Sequence, residues 1–250
     1  MRCYRRGMVH LVMPSETHKP SQAFGVPIPY DASVNDLRER LGMPGPLAWA
    51  ACLALGYKPE PEAVALLAET AKNQDWSLRN LAVQCLGTHP QGAQAAELVI
   101  NALADPVQQI VRTACDAAAR LKLRAARARL ITLLASAEPQ MRFHAVRALG
   151  ELWSPEDHGS VWALSRKDKE EFVRKEAERT LRRTASENTW HRLFDLWKLD
   201  PLPRLRVWAC ELLCEFGQSN DLPGLRRLVR DRNAHVRKAA EFAAEKRNFS

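Results

Sequence analysis

The sequence predicts an all-α protein, a right-handed α-solenoid of about six to seven helix pairs. Three observations carry the prediction. The composition favours helices: 46% of the 250 residues are hydrophobic but only 7% aromatic, Ala and Leu dominate, and strict alternation of apolar and polar residues is scarce. An arginine embedded in an apolar run recurs at a nearly constant interval. A second helical run follows each of these first runs, after a joint rich in Pro, Gly, Ser, Asn and acidic residues.

The recurring arginine is plainest in QMRFHAVRALG, where Arg142 separates Met141 from Phe143 at the entry of an otherwise apolar helix. Related stretches place Arg79, Arg112, Arg174, Arg206 and Arg237 in the same setting, and the six are spaced by 33, 30, 32, 32 and 31 residues. A period near 31 is the mark of a repeat architecture. Before each arginine stands Leu78, Val111, Met141, Val173, Leu205 or Val236; three residues after it stands Ala82, Cys115, Ala145, Ala177, Ala209 or Ala240. Seven after it stands Leu86, Ala119, Leu149, Leu181, Leu213 or Ala244. These positions lie one or two turns apart and form one apolar stripe. The small residue in its middle lets a neighbouring helix approach closely.

Taken in order, residues 1–30 read as an extended arm, basic and punctuated by Pro14, Pro20, Pro27 and Pro29. Residues 31–45 hold a short capping helix, with Ser33 as N-cap and Asp36 in the capping-box position. The solenoid then occupies 46–250. It opens on a degenerate copy, PLAWAACLALG, in which Leu47, Ala51 and Leu55 match the stripe and Ala48 replaces the arginine. The second helix of each pair, helix B, is read at 63–71, 95–104, 127–135, 160–167, 189–199 and 224–231. Residues 234–247 form a charged helix of the first type, helix A, suited to end the array.

An acidic residue, sometimes followed by Pro, then an aliphatic–Arg pair, an Ala and Leu–Gly, resembles the HEAT-like repeat, and is closest to the short variety named after phycobilisome lyases. Residues 104–112, 141–150 and 231–240 carry the resemblance best, and it covers roughly 46–250. It implies that an acid at the end of helix B bonds the arginine of the next helix A and ties repeats into a ladder. Asp168, Asp200 and Asp231 stand six residues before their arginines and Asp105 seven before Arg112; Asp75 and Glu138 stand only four before theirs. Arginine suits the task because one planar group offers several donors. The resemblance also implies that the B helices line a concave surface.

Several functions are excluded or left without support. No apolar run approaches the length that spans a bilayer, and the apolar patch after the basic start, short, interrupted by His10 and followed by no small-residue cleavage site, does not read as a signal peptide, so a cytoplasmic protein without a membrane partner is expected. Met1, Met8 and Met13 all suit a start. The six cysteines form no CxxC, five of them fall in apolar helical patterns, and the seven histidines are scattered, so neither metal nor cofactor is expected. Phosphate-loop, dinucleotide, zinc-protease and serine-hydrolase motifs are missing, and no catalytic residue is assigned.

Charge points to binding. The net charge is +8, and residues 111–250 carry 28 Lys and Arg against 19 acids. Arg124, Arg127 and Arg129 cluster in a stretch with no acid between Asp116 and Glu138; Arg226, Arg227, Arg230 and Arg232 form a second cluster. Arg124 with Arg127, and Arg226 with Arg230, have spacings that share a helix face. The expectation is a non-catalytic scaffold that holds an acidic protein on a basic concave face. Arg124, Arg127, Arg129, Arg226 and Arg230 supply the contacts, with Trp162 or Trp190 as aromatic anchors. The alternative is a nucleic-acid-binding solenoid, as in the HEAT-like alkylpurine DNA glycosylases, whose grooves use Trp, Asp and Arg.

Overall fold

The computed structural model describes residues 21–247; residues 1–20, with most of the expected arm and Cys3, lie outside them. The described end of the arm folds back on itself. Strands β1 (Gln22–Ala23) and β2 (Val26–Pro27) pair antiparallel, with Ala23 opposite Val26. The intervening Phe24 and Gly25 have φ of 56° and 79°, the double left-handed turn that suits the twist of a hairpin. Gly25 takes this conformation freely, whereas Phe24 is held in it with its ring edge-on to Trp49 at 5.2 Å.

Fourteen α-helices follow among the described residues. The capping helix α1 (Val34–Leu41) has the full capping box read from the sequence: Ser33 Oγ accepts from the Asp36 N–H, and Asp36 accepts from the Ser33 N–H. The A helices are α2 (Pro46–Leu55), α4 (Trp76–Leu86), α6 (Gln108–Arg120), α8 (Pro139–Glu151), α10 (Glu171–Arg183), α12 (Pro203–Phe216) and α14 (Ala234–Lys246). The B helices between them are α3 (Pro61–Thr70), α5 (Ala96–Ala102), α7 (Arg127–Leu133), α9 (His158–Lys167), α11 (Trp190–Trp197) and α13 (Leu222–Val229). Short 3-10 turns lead into α5, α7, α9 and α13. Proline occupies the first helical position of α2, α3, α8 and α12, where its missing N–H costs no hydrogen bond.

The apolar stripe is buried as its spacing requires. Every aliphatic residue before a recurring arginine and every small residue three after it is in the core, as are all residues seven after it except Ala244. The degenerate first copy departs from its sequence match. Leu47 is 46% exposed and Ala48 is buried, so the helix enters the core one residue later than the match implies. Small residues let A helices pack closely: a Cβ on Gly87 would lie 2.6 Å from Ala117 Cβ, and one on Gly56 would lie 3.1 Å from Cys85 Sγ. Cys52, Cys85, Cys115 and Cys210 are free and buried, and burial pushes the Cys115 and Cys210 thiols up to about 12. All four pack as small apolar groups, and Cys115 and Cys210 are neutral at physiological pH.

The chain divides into two compact units, Met1–Leu152 and Trp153–Ser250. In the first, α2, α4, α6 and α8 pack in succession, with α3, α5 and α7 against them. In the second, α9 packs on α10, α11 on α12, and α12 and α13 on α14.

Candidate functional site

The recurring arginines stand in the first turns of the A helices, and their guanidinium groups turn back onto the joint that precedes each helix. Nη1 of Arg79, Arg142, Arg174, Arg206 and Arg237 donates in every case to the carbonyls six and five residues earlier, at 2.6–3.1 Å. For Arg174, Arg206 and Arg237 the carbonyl six back belongs to Asp168, Asp200 and Asp231. One cation thus satisfies two carbonyls that the end of helix B leaves open.

The aspartate carboxylates act differently from the expectation. Each accepts the backbone N–H two residues on: Asp105 from Val107, Asp168 from Glu170, Asp200 from Leu202, Asp231 from Asn233. Where a carboxylate meets a recurring arginine, it is the arginine of the preceding repeat. Arg79 forks onto Asp105 at 3.1 and 3.3 Å, and Arg206 onto Asp231 at 2.7 and 2.9 Å. The ladder therefore exists, with its side-chain pairs shifted by one repeat, because the carboxylate projects toward the previous A helix while its own arginine reaches only its carbonyl. Asp200 takes Arg166 of α9 instead, at 2.9 Å. In the first repeat, which lacks the arginine, Trp49 Nε1 donates to Asp75 at 3.3 Å and stands in for it. Arg112 leaves the pattern: it bonds Gln109, and its Nε is buried without a partner. The one additional residue between Asp105 and Arg112 displaces it from the joint carbonyls.

The Arg206 rung is the most enclosed. Arg206 is 5% exposed, and its guanidinium holds the Asp231 carboxyl below the usual carboxylate range. This role is structural, and it is shared by Arg79, Arg142, Arg174, Arg206 and Arg237 but not by Arg112.

The residues expected to touch a partner fall into two groups. In the first unit Arg124 sits in the 3-10 turn before α7 and is exposed; Arg129 is exposed and Arg127 half-buried on α7. The earlier B helices of this unit are acidic, with Glu62 and Glu69 on α3 and Glu97 on α5 and no Lys or Arg on either. In the second unit Arg226 on α13 and Arg230 at its C-cap are exposed. Trp162 on α9 is half-buried, parallel to the His158 ring at 6.4 Å and under the Arg166 guanidinium at 5.4 Å. Trp190 is corrected: it is 2% exposed, packed on Phe194 and Phe216, and belongs to the core. The tryptophan opens the buried stripe Trp190, Leu193, Phe194, Trp197 of α11, which leaves no ring surface for a partner.

Sequence reasoning passed over Arg166, Lys167 and Arg192, all exposed on the B helices of the second unit. Their signal was available: each falls off the buried stripe of its own helix. Among the described residues no group of three His, Cys, Asp or Glu could hold a metal ion, and no helix is long and apolar enough to cross a membrane.

Helix pairs repeated at about 31 residues, joined by an arginine–aspartate ladder, define a protein of the helical-repeat class. A profile of HEAT repeats matches residues 34–119 and 96–182, and the chain belongs to the HEAT repeat family. No curated protein matches it by sequence. Among solved structures, the complex of CpcE and CpcF of phycocyanin lyase from Nostoc sp. PCC7120 is similar at 18% identity and a TM-score of 0.55, covering 93% of this chain and 100% of that one. An engineered protein is similar at 17% identity and a TM-score of 0.52, covering 85% of this chain and 67% of that one. A structure of Kap95p binding to RanGDP is similar at 13% identity and a TM-score of 0.56, covering 85% of this chain but 34% of that one. At these identities the likeness is one of fold.

Proposed function

We propose that the protein is a non-catalytic HEAT-repeat scaffold that binds an acidic protein partner on the basic surface of its B helices. One observation carries the reading. In the second unit the A helices mix both signs and pair them, as in Arg204–Glu178 at 2.8 Å, Arg182–Glu211 at 3.0 Å and Lys175–Glu171 at 2.7 Å. Within their helical bounds the B helices α9, α11 and α13 carry Arg166, Lys167, Arg192, Arg226 and Arg227 against Asp195 alone, and of these cations Arg166 is paired with Asp200 of the following joint at 2.9 Å. Such a field raises the local concentration of an anionic partner and speeds its encounter. Arg230 extends the contact set in the second unit, where Trp162 supplies an aromatic anchor; Arg124, Arg127 and Arg129 form a separate basic patch of the first unit, for which the same class of partner is proposed. The surface is preformed by helix packing, so little ordering opposes binding. Two of the similar folds, CpcE with CpcF and Kap95p with RanGDP, occur in protein complexes, which favours a protein over a nucleic acid.

The test is a fluorescence-anisotropy titration of labelled polyglutamate and of labelled duplex DNA at several salt concentrations. Reversal of Arg226, Arg227 and Arg230 to Glu should weaken polyglutamate binding at least about tenfold with the helical circular dichroism unchanged. Absence of polyglutamate binding at low salt overturns the reading. Tighter binding of DNA with a steep salt slope transfers the surface to nucleic acid.

A further inference from the structure

Helix α11 has a buried apolar stripe and a solvent-side stripe that ends in two leucines. Trp190, Leu193, Phe194 and Trp197, at i, i+3, i+4 and i+7, are buried. Two residues on, Arg192, Asp195, Leu196 and Leu199 repeat the same spacing on the solvent side, the last of them in the turn that follows the helix. Leu196 is 40% and Leu199 52% exposed. The solvent stripe of a surface helix is ordinarily polar, so two leucines one turn apart on it form an unpartnered ridge.

That ridge is bracketed by cations. Helix α13 lies close on one side: a Cβ on Gly224 would come within 2.7 Å of the Phe194 ring, and α13 presents Arg226 and Arg227 to solvent. Helix α9 is tied to the end of α11 by Arg166, which bonds Asp200 at 2.9 Å, and it adds Lys167. The acid within the stripe, Asp195, is held by Lys198 at 2.6 Å. Packed helices lie about 8–10 Å apart, so side chains of α9 and α13 are within reach of a ligand seated on the leucines; of their cations Arg166 is already paired with Asp200, while Lys167, Arg226 and Arg227 are exposed.

We propose that this face of α11, resting on the reading of the B surface as basic, receives an amphipathic acidic helix of a protein partner. Its apolar stripe seats on Leu196 and Leu199, and its carboxylates reach the cations on both flanks. A helix is about 10–12 Å across with its side chains, wide enough for its two flanks to lie over neighbouring helices. An extended segment alternates its side chains between two faces and would turn half of them away from the surface. A helix seated by an apolar stripe with polar flanks is a recurring recognition mode.

The probes are a labelled synthetic Leu/Glu peptide with leucines at i, i+3, i+4 and i+7, and a scrambled peptide of the same composition. The full chain should bind the first at least about tenfold more tightly. Leu196→Ser with Leu199→Ser should remove that advantage and leave binding of the scrambled peptide unchanged; both leucines are exposed, so the variant keeps its fold. If both peptides bind equally and both weaken on Arg226→Glu with Arg227→Glu, the proposal is overturned while the basic surface stands. If neither binds, both readings fail. If phosphatidylserine vesicles bind in preference to the amphipathic peptide, with the same dependence on Leu196 and Leu199, the face is a membrane surface and the proposal is overturned.

Discussion

Apart from the Arg79–Asp105 rung, which has its counterpart in Arg206–Asp231, successive A helices between α2, α4 and α6 meet through small and neutral groups, whereas between α10, α12 and α14 further ion pairs join them. In the first region Gly56 faces Cys85, Gly87 faces Ala117, and Thr113 Oγ1 donates to Asn80 at 2.7 Å. In the second region Glu178 takes Arg204, Glu211 takes Arg182, and Asp231 takes Arg206. The same repeat is thus built with two kinds of seam. A close-packed seam tolerates no added volume. An ionic seam tolerates changes of shape but loses heavily when one charge is removed and the other stays buried.

The largest effect should come from the ionic seam. Arg206→Ala strands the Asp231 carboxylate and two joint carbonyls, and should cost about 3–5 kcal/mol in urea unfolding. Arg112→Ala, which breaks no ladder bond, should cost about 1 kcal/mol or less. Equal losses would break the distinction between paired and displaced rungs. The close-packed seam should respond to volume. Gly87→Val drives side-chain atoms into Ala117 and should cost about 1–3 kcal/mol. Gly159→Ala, whose added Cβ meets open space on α9, should instead stabilise by about 0.5–1 kcal/mol.

The smallest effect concerns pH. Burial, and then the nearby Arg192, hold the His158 imidazole below its ordinary value of 6.5. The unfolded chain therefore binds more protons than the folded one as pH falls. The stability linked to this histidine is present above about pH 6.5 and lost below it. The urea midpoint should fall between pH 7.5 and 5.5, and His158→Phe should flatten that dependence. An unchanged slope would show that this histidine does not titrate between the two states.

Much of the molecule is legible in its sequence, because a helix records its burial in its own spacing. Residues such as Leu78, Ala82 and Leu86 state their face through separations of one turn, and Ser33 with Asp36 state a cap through adjacency. What failed to be legible lies between repeats. The sequence places Asp231 six residues before Arg237, yet its carboxylate bonds Arg206, 25 residues earlier. Trp190 has the composition of an anchor and the position of a core residue, which its helical stripe alone could have revealed.

The amino-acid sequence by itself determined that the chain is an array of helix pairs, where each A helix begins, and which stripe it buries. These follow from periods of 3.6 and about 31 residues that act along the chain. Only the tertiary structure decided which carboxylate each arginine grips, where the first repeat enters the core, and which leucines stay in solvent on α11. Those outcomes depend on how neighbouring helices stack, and no spacing within one repeat encodes the distance to the next.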